Sequence, residues 1–186
     1  FTYDITNFFI MRTIARIDIK NDSVIKGINL EGLRKIGDPT DIAKQYYANG
    51  IDELLIIDSV ASLYGRNNLF DLIKKITNEI FVPITLGGGI RSLKDIENAL
   101  NSGADKVAIN SKALEDPDFL SKAVSSFGES TILVSIEAKK ISEEKWEPYK
   151  FCGREKTNLN LIDWINTIHD KGCGEILLTS IDKEGT

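Results

Sequence analysis

Gly87-Gly88-Gly89-Ile90 follows the short apolar run Val82-Pro83-Ile84-Thr85-Leu86 and leads into Ser92-Leu93-Lys94-Asp95. Three glycines between a strand and a helix leave backbone amides bare, so a phosphate oxygen can approach the N–H groups closely while the helix N-terminus adds partial positive charge. A phosphorylated small molecule is the natural ligand of such a turn. A tight strand-to-helix turn with no ligand explains the glycines equally well. Polar groups end the other apolar runs too: Asp18, Asp58, Asn110-Ser111, Glu137 and Ser180-Ile181-Asp182. The single histidine, His169, falls near the end of a helix expected over Leu161 to Lys171, where an imidazole suits the helix dipole. With no second histidine and no cysteine pair, no zinc site, no serine–histidine–aspartate triad and no cofactor is expected.

The elements that must carry these groups are readable from hydrophobicity. Strand-like runs recur at Arg12 to Ile19, Glu53 to Asp58, Val82 to Leu86, Lys106 to Asn110, Thr131 to Glu137 and Glu175 to Ser180. Between them lie helices with marked ends. Asp38-Pro39 opens one that Gly50 closes, Ser92 with Asp95 makes a capping-box start for one ending at Gly103, Asp116-Pro117 starts one ending at Gly128, and Gly172 ends another. Strands rich in Ile, Val and Leu with little alternation, separated by helices, describe an α/β fold with a parallel sheet covered by helices. The segment from Ile141 to Asn158 is expected as an irregular excursion after the fifth strand. Polar groups at all six strand tips favour a (βα)8 barrel, which builds its sites there, over an open sheet with one switch point. A complete barrel takes about 250 residues, and only six of its eight βα strands are present here.

Composition narrows the function classes. With 186 residues, 42% hydrophobic and 27% charged, the chain is expected as one domain over 11–186 after an extension at 1–10. A net charge of -5 without a basic block argues against nucleic acid or an anionic membrane as the main partner. No apolar run reaches the roughly 20 residues that span a bilayer, and the opening segment lacks a basic n-region. Cys152 and Cys173 fit no disulfide framework, so a cytoplasmic location is expected.

In order and at consistent spacing, five stretches resemble one family. They are Arg16-Ile17-Asp18-Ile19-Lys20 with Val24-Ile25-Lys26-Gly27, Gly50-Ile51-Asp52-Glu53-Leu54 through Asp58, Gly87-Gly88-Gly89-Ile90, Gly103-Ala104-Asp105-Lys106-Val107 through Asn110, and Gly174-Glu175-Ile176-Leu177-Leu178-Thr179-Ser180-Ile181-Asp182. The resemblance, covering Met11 to Thr186, is to the cyclase subunits of imidazole glycerol phosphate synthase, known as HisF, and their close paralogues. It implies a (βα)8 barrel that combines ammonia with a phosphorylated ribulosyl aminoimidazole carboxamide nucleotide, giving imidazole glycerol phosphate for histidine biosynthesis. It also implies a glutaminase subunit as ammonia source, docked on the N-terminal face of the barrel.

Residue by residue, the resemblance implies Asp18 and Glu137 as general acid and base, because ammonia attack, loss of water and ring closure each require proton transfer. The family has aspartate where Glu137 stands. One extra methylene moves that carboxylate by about an angstrom, which can cost on the order of a hundredfold in rate. Lys26, in a flexible loop after the first strand, and Asp58 correspond to substrate-engaging and group-orienting positions in the mouth. Gly88, Gly89, Asn110 and Ser111 correspond to one phosphate site. A second phosphate site draws largely on strands seven and eight, which the sequence lacks. Arg12, Glu53, Lys106 and Glu175 correspond to a ring of alternating charge that gates ammonia entry, although a barrel bottom also needs paired charges for stability.

Two further departures are Arg16, where the family has cysteine, and Glu184, where it has aspartate in Asp-Gly-Thr. Arg16 is expected to bridge Glu137 or Asp18 and depress that carboxylate's pKa, or to meet a different anion. Three functions follow as alternatives: the cyclase itself, a paralogue passing ammonia to another acceptor such as a surface-sugar precursor, and a non-catalytic partner that activates a glutaminase. An exposed edge on a six-stranded partial barrel is expected to favour self-association.

Overall fold

The computed structural model describes residues 11–61 and 69–186, so the expected extension at 1–10 lies outside the described residues. Strand β1 (Ile14–Lys20) turns into an antiparallel hairpin, β2 (Ser23–Ile28) and β3 (Glu31–Gly37), before helix α1 (Pro39–Ala48) and strand β4 (Glu53–Asp58). Then follow α2 (Leu69–Thr77), β5 (Ile84–Gly87), α3 (Leu93–Asn101), β6 (Lys106–Ile109), the short α4 (Ser111–Glu115) and α5 (Asp118–Phe127). The long β7 (Ile132–Ser142) leads through β8 (Lys145–Lys150) and β9 (Glu155–Lys156) to α6 (Leu161–Asp170) and β10 (Glu175–Ser180).

Six strands run parallel in the order β1-β4-β5-β6-β7-β10. They coincide with the six apolar runs and form the mostly parallel, helix-covered sheet of a (βα)8-type fold. Among the described residues β10 pairs only with β7, and no ladder joins it to β1.

Both faces of this sheet are covered, for different reasons. Ile17 and Ile19, Leu54 and Ile56, Val107 and Ile109 alternate outward into the main core, where the helices bring Ile73, Ile96, Leu120 and Ile168. This layer removes most of the apolar surface from water and supplies the main driving force for folding. The opposite residues of β4, β6 and β7 form a much smaller inner cluster of Leu55, Ile57, Ala108 and Leu133. Apolar residues on both faces produce the unbroken runs seen in the sequence.

Most of the helix ends are those the sequence marks. Asp38 accepts from the Thr40 and Asp41 amides, and Ser92 with Asp95 forms the full capping box. Asp116 does not cap a helix. It ends α4, its carboxylate takes Lys112 Nζ at 3.1 Å, and α5 begins at Asp118 with no side-chain cap. His169 lies in the last turn of α6, where its side chain is solvated.

Two expectations about irregular segments are corrected. Lys26 lies on β2 in an antiparallel ladder with β1 and β3, not in a loop. The stretch from Ile141 to Asn158 is not an irregular excursion: β7 runs on to Ser142, and β8 and β9 fold back against it. Pro148 disguises this hairpin in the sequence. Because β9 pairs only with Tyr149 and Lys150, Pro148 has a strand on one side only, an edge position that tolerates a residue without an N–H.

Candidate functional site

Strand periodicity sorts the candidate residues into two inward-facing levels. Residues two apart on a strand share a face. On β1 and the residues before it, Arg12, Arg16 and Asp18 therefore point the same way, as do Glu175 and Thr179 on β10 and Lys106 and Asn110 along β6.

At the N-terminal end the four predicted charges close into a ring. Arg12 pairs with Glu53 and reaches Glu175 at 3.5 Å, while Lys106 lies 3.6 Å from Glu53 and 2.7 Å from Glu175. Each cation touches both anions. Glu53 is 5% exposed, so the ring's inner side lies in a low-dielectric setting where losing a partner is costly. Burial opposes the charge of Glu175, but Lys106 and Arg12 outweigh it and hold its carboxyl below its ordinary value.

At the C-terminal end the two predicted carboxylates sit in contrasting surroundings. Asp18 is clamped by Arg16: Nε lies 3.1 and 3.0 Å from its two oxygens, and Nη2 lies 2.9 Å from Oδ1. Glu137, 5% exposed, accepts from Asn110 Nδ2 at 3.1 Å and from the backbone N–H of Gly153. Burial pushes its pKa up to about 7 against the opposing pull of Arg16, of that N–H and of Asn110, with Asp18 adding a further upward push. The expected choice for Arg16 is thus resolved in favour of Asp18. The carboxylate beyond it, Glu137, is raised and not depressed, because desolvation exceeds the attraction of a cation that does not touch it.

The glycine turn borders the same mouth. Gly88 and Gly89 both take left-handed backbone, at φ 96° and 72°. A Cβ on Gly88 would sit 2.3 Å from the carbonyl oxygen of Asp58, so no other residue lets β5 end this close to β4. The α3 N-terminus contributes less than expected. The Asp95 carboxylate already accepts from the Arg91 and Ser92 amides, and Ser92 Oγ takes the Asp95 amide. The groups left to meet the expected phosphate are the glycine turn itself and Ser111. The Ser111 hydroxyl accepts from the Phe151 N–H at 3.0 Å and keeps its own proton to donate. Gly88, Gly89, Asn110, Ser111 and Glu137 line one small cleft of about 80 Å³ that is open to solvent.

Asp58 lines this cleft as well, whereas Lys26 stands apart from it. Lys26 borders a neighbouring cleft with Arg16, Asp18, Arg154 and Glu184. Asp58 uses Oδ1 to accept from the Val60 and Ala61 amides, both at 2.9 Å, so its carboxylate caps the turn after β4; burial nonetheless raises its pKa.

Three residues of the β8–β9 turn also belong to the site and carry no sequence motif. Phe151, Cys152 and Gly153 are consecutive left-handed residues, at φ 52°, 56° and 75°. Their contacts reach three strand tips: Phe151 N–H to Ser111, Cys152 Sγ to the Ser59 carbonyl at 3.1 Å, and Gly153 N–H to Glu137. Burial pushes the Cys152 thiol up to about 12, which leaves it a packing and hydrogen-bonding group. Among the described residues no group of three or more His, Cys, Asp or Glu is placed to hold a metal ion, and no helix is long and apolar enough to cross a membrane.

Comparison with known proteins bears on this arrangement. Residues 12–186 match the family described as "Histidine biosynthesis protein". A protein of Legionella pneumophila named "Imidazole glycerol phosphate synthase subunit HisF" is 51% identical over 176 residues, covering 95% of this chain and 83% of its own length. Proteins of the same name from Bacillus cereus (strain AH187) and Endomicrobium trichonymphae are 42% and 43% identical, covering 94% and 95% of this chain and 69% and 68% of their own lengths. A match across nearly all of the chain and relatives at this identity lead to one conclusion: the chain belongs to the histidine biosynthesis protein family that contains the HisF subunits.

Proposed function

We propose that this chain works as the cyclase subunit of an imidazole glycerol phosphate synthase, fed with ammonia by a glutaminase subunit. The observation that carries this reading is the alignment of two ends on shared strand faces. β1 and its approach bear a ring member, Arg12, and the mouth carboxylate Asp18, while Lys106 and Asn110 repeat the arrangement along β6. Ammonia entering through the charge ring would emerge below Asp18 and Glu137.

Ammonia attack on a carbonyl carbon forms a C–N bond, after which nitrogen gives up protons and the carbonyl oxygen leaves as water. Each stage moves a proton. A carboxyl group titrating near 7 is matched to giving and taking protons at neutral pH. The glycine turn and Ser111 hold one phosphate of the nucleotide substrate, and Lys26, in the neighbouring cleft with Asp18, meets another part of the substrate. No metal or cofactor has a part in this reading, and the reaction belongs in the cytoplasm with the rest of histidine synthesis. The relatives above are all named for the cyclase subunit, and none of those names speaks for another acceptor.

The test is direct. Purified chain, an ammonium salt and the ribulosyl aminoimidazole carboxamide nucleotide are expected to yield imidazole glycerol phosphate, detected by chromatography. Absence of product, with glutamine turnover by a co-purified glutaminase still rising on addition of the chain, would replace the cyclase with a docking partner.

A further inference from the structure

Arg16 occupies an inward position midway between the charge ring and the mouth. Its side chain is held at both ends of the guanidinium. Nε and Nη2 grip Asp18, and Nη1 donates to Thr179 Oγ1 at 2.9 Å. Thr179 lies on β10, which forms no ladder with β1. The Arg16–Thr179 contact repeats, four residues further along both strands, the contact of Arg12 with Glu175. Two side-chain rungs therefore tie strands that share no backbone hydrogen bonds, and the upper rung fixes where the guanidinium stands.

We infer that Arg16, held by Thr179, is a positioning residue that divides labour between the two mouth carboxylates, committing both oxygens of Asp18 to an ion pair and leaving Glu137 to carry the proton. The inference rests on the proposed cyclase reading for its chemistry but on contacts alone for its geometry. A guanidinium makes this division because its planar fork can satisfy a carboxylate from Nε and Nη2 while a third nitrogen bonds elsewhere. Asp18, so held, has both oxygens occupied by the Arg16 fork. Glu137 is left with neutral donors, Asn110 and the Gly153 N–H, which hold its position without a counter-ion in contact.

Asp58, Arg91, Lys112 and Glu115 line the same cleft as Glu137, and Lys26, Arg154 and Glu184 the cleft of Arg16 and Asp18, but the groups that act on the pair directly are fewer. Glu137 faces Arg16 and Asp18 from β1 and Cys152 from the β8–β9 turn. Arg16 faces Asp18, Glu137 and, from the segment after β10, Glu184. Burial works against the Arg16 charge, yet these three carboxyl groups hold its pKa above the ordinary value, so it remains a cation throughout the working range. Its field is a fixed downward pull on the Glu137 pKa.

Carbon-13 NMR titration of the Glu137 carboxyl, assigned with Glu137→Gln, tests this without turnover. Arg16→Ala is expected to raise the Glu137 midpoint by about one pH unit. Thr179→Val keeps the guanidinium but cuts its tie, and is expected to move the midpoint the same way by less. Arg16→Lys, which keeps the charge without the fork, is expected to bring the midpoint back toward wild type. In the ammonium-driven reaction the acid limb of kcat/KM is expected to move with the midpoint. An unchanged midpoint in both Arg16→Ala and Thr179→Val, with circular dichroism showing folded protein, overturns the assignment. A shifted midpoint in a chain that makes no product supports the Arg16 assignment and sinks the cyclase reading alone.

Discussion

Glu137 shows how burial sets the character of a site. Its carboxyl is buried, and burial lifts its pKa from the ordinary 4.5 to about 7. The folded state therefore holds a proton that the unfolded chain releases above about 4.5. Stability follows proton binding, so it falls as pH rises from about 4.5 to 7 and levels off above that. The full difference is on the order of 3 kcal/mol. Glu137→Gln, neutral at every pH and still able to meet Asn110, is expected to match wild type in urea unfolding at pH 5 and to exceed it by up to that amount at pH 8. A constant difference across that range would show that Glu137 does not carry the titration. The identity of this residue was readable from its place at a strand tip. Its protonation was not, because that is set by burial acting against the pull of Arg16, Gly153 and Asn110, which come from other elements.

At the level of elements, the parallel strands were readable and the two hairpins were not. Parallel strands bury both faces and announce themselves as apolar runs; β2, β3 and β8 are only partly buried and mix charge with apolar residues, which reads as loop. Signals were present nonetheless. Asn21-Asp22 is a two-residue turn between β1 and β2, with Asn21 at φ 57°, and Asn29-Leu30 turns β2 into β3 with φ 53° and 62°. That second turn is latched. The Asn29 amide donates to the Glu184 carbonyl and the Leu30 amide to Glu184 Oε2, both at 2.9 Å, while Gly185 packs so close to Gly27 that a Cβ would sit 2.3 Å from its carbonyl oxygen.

Glutamate at position 184 thus reaches across to hold the hairpin that bears Lys26. A hydrogen bond to a charged group contributes roughly 1.5–3 kcal/mol. Glu184→Ala is expected to raise amide exchange in β2 and β3 by about tenfold, with the amides of β4 to β7 unchanged. Uniform acceleration across the sheet would mean that Glu184 supports global stability and not the hairpin.

For the molecule as a whole, the charge ring and the mouth lie at opposite ends of the same strands, so a defect in one is separable from a defect in the other. Glu53 is nearly fully buried and shared between Arg12 and Lys106. In Lys106→Met the side-chain length is kept, Glu53 retains Arg12, and Glu175 also retains Arg12. Destabilisation is therefore expected to stay below the roughly 3 kcal/mol that follows when a buried charge loses its only partner. The mouth is untouched, because Asp18 and Glu137 take their contacts from Arg16, Asn110 and Gly153. If the ring admits ammonia, this variant changes glutamine-driven turnover with a glutaminase subunit by about tenfold or more while ammonium-driven turnover holds within a few-fold, a coupling change of at least about 1.4 kcal/mol. Salt should weaken the half-exposed Arg12 contacts more than the largely buried Lys106–Glu53 pair. Equal losses in both assays would assign the ring to stability alone, the role that paired charges at the bottom of a barrel can fill without any passage above them.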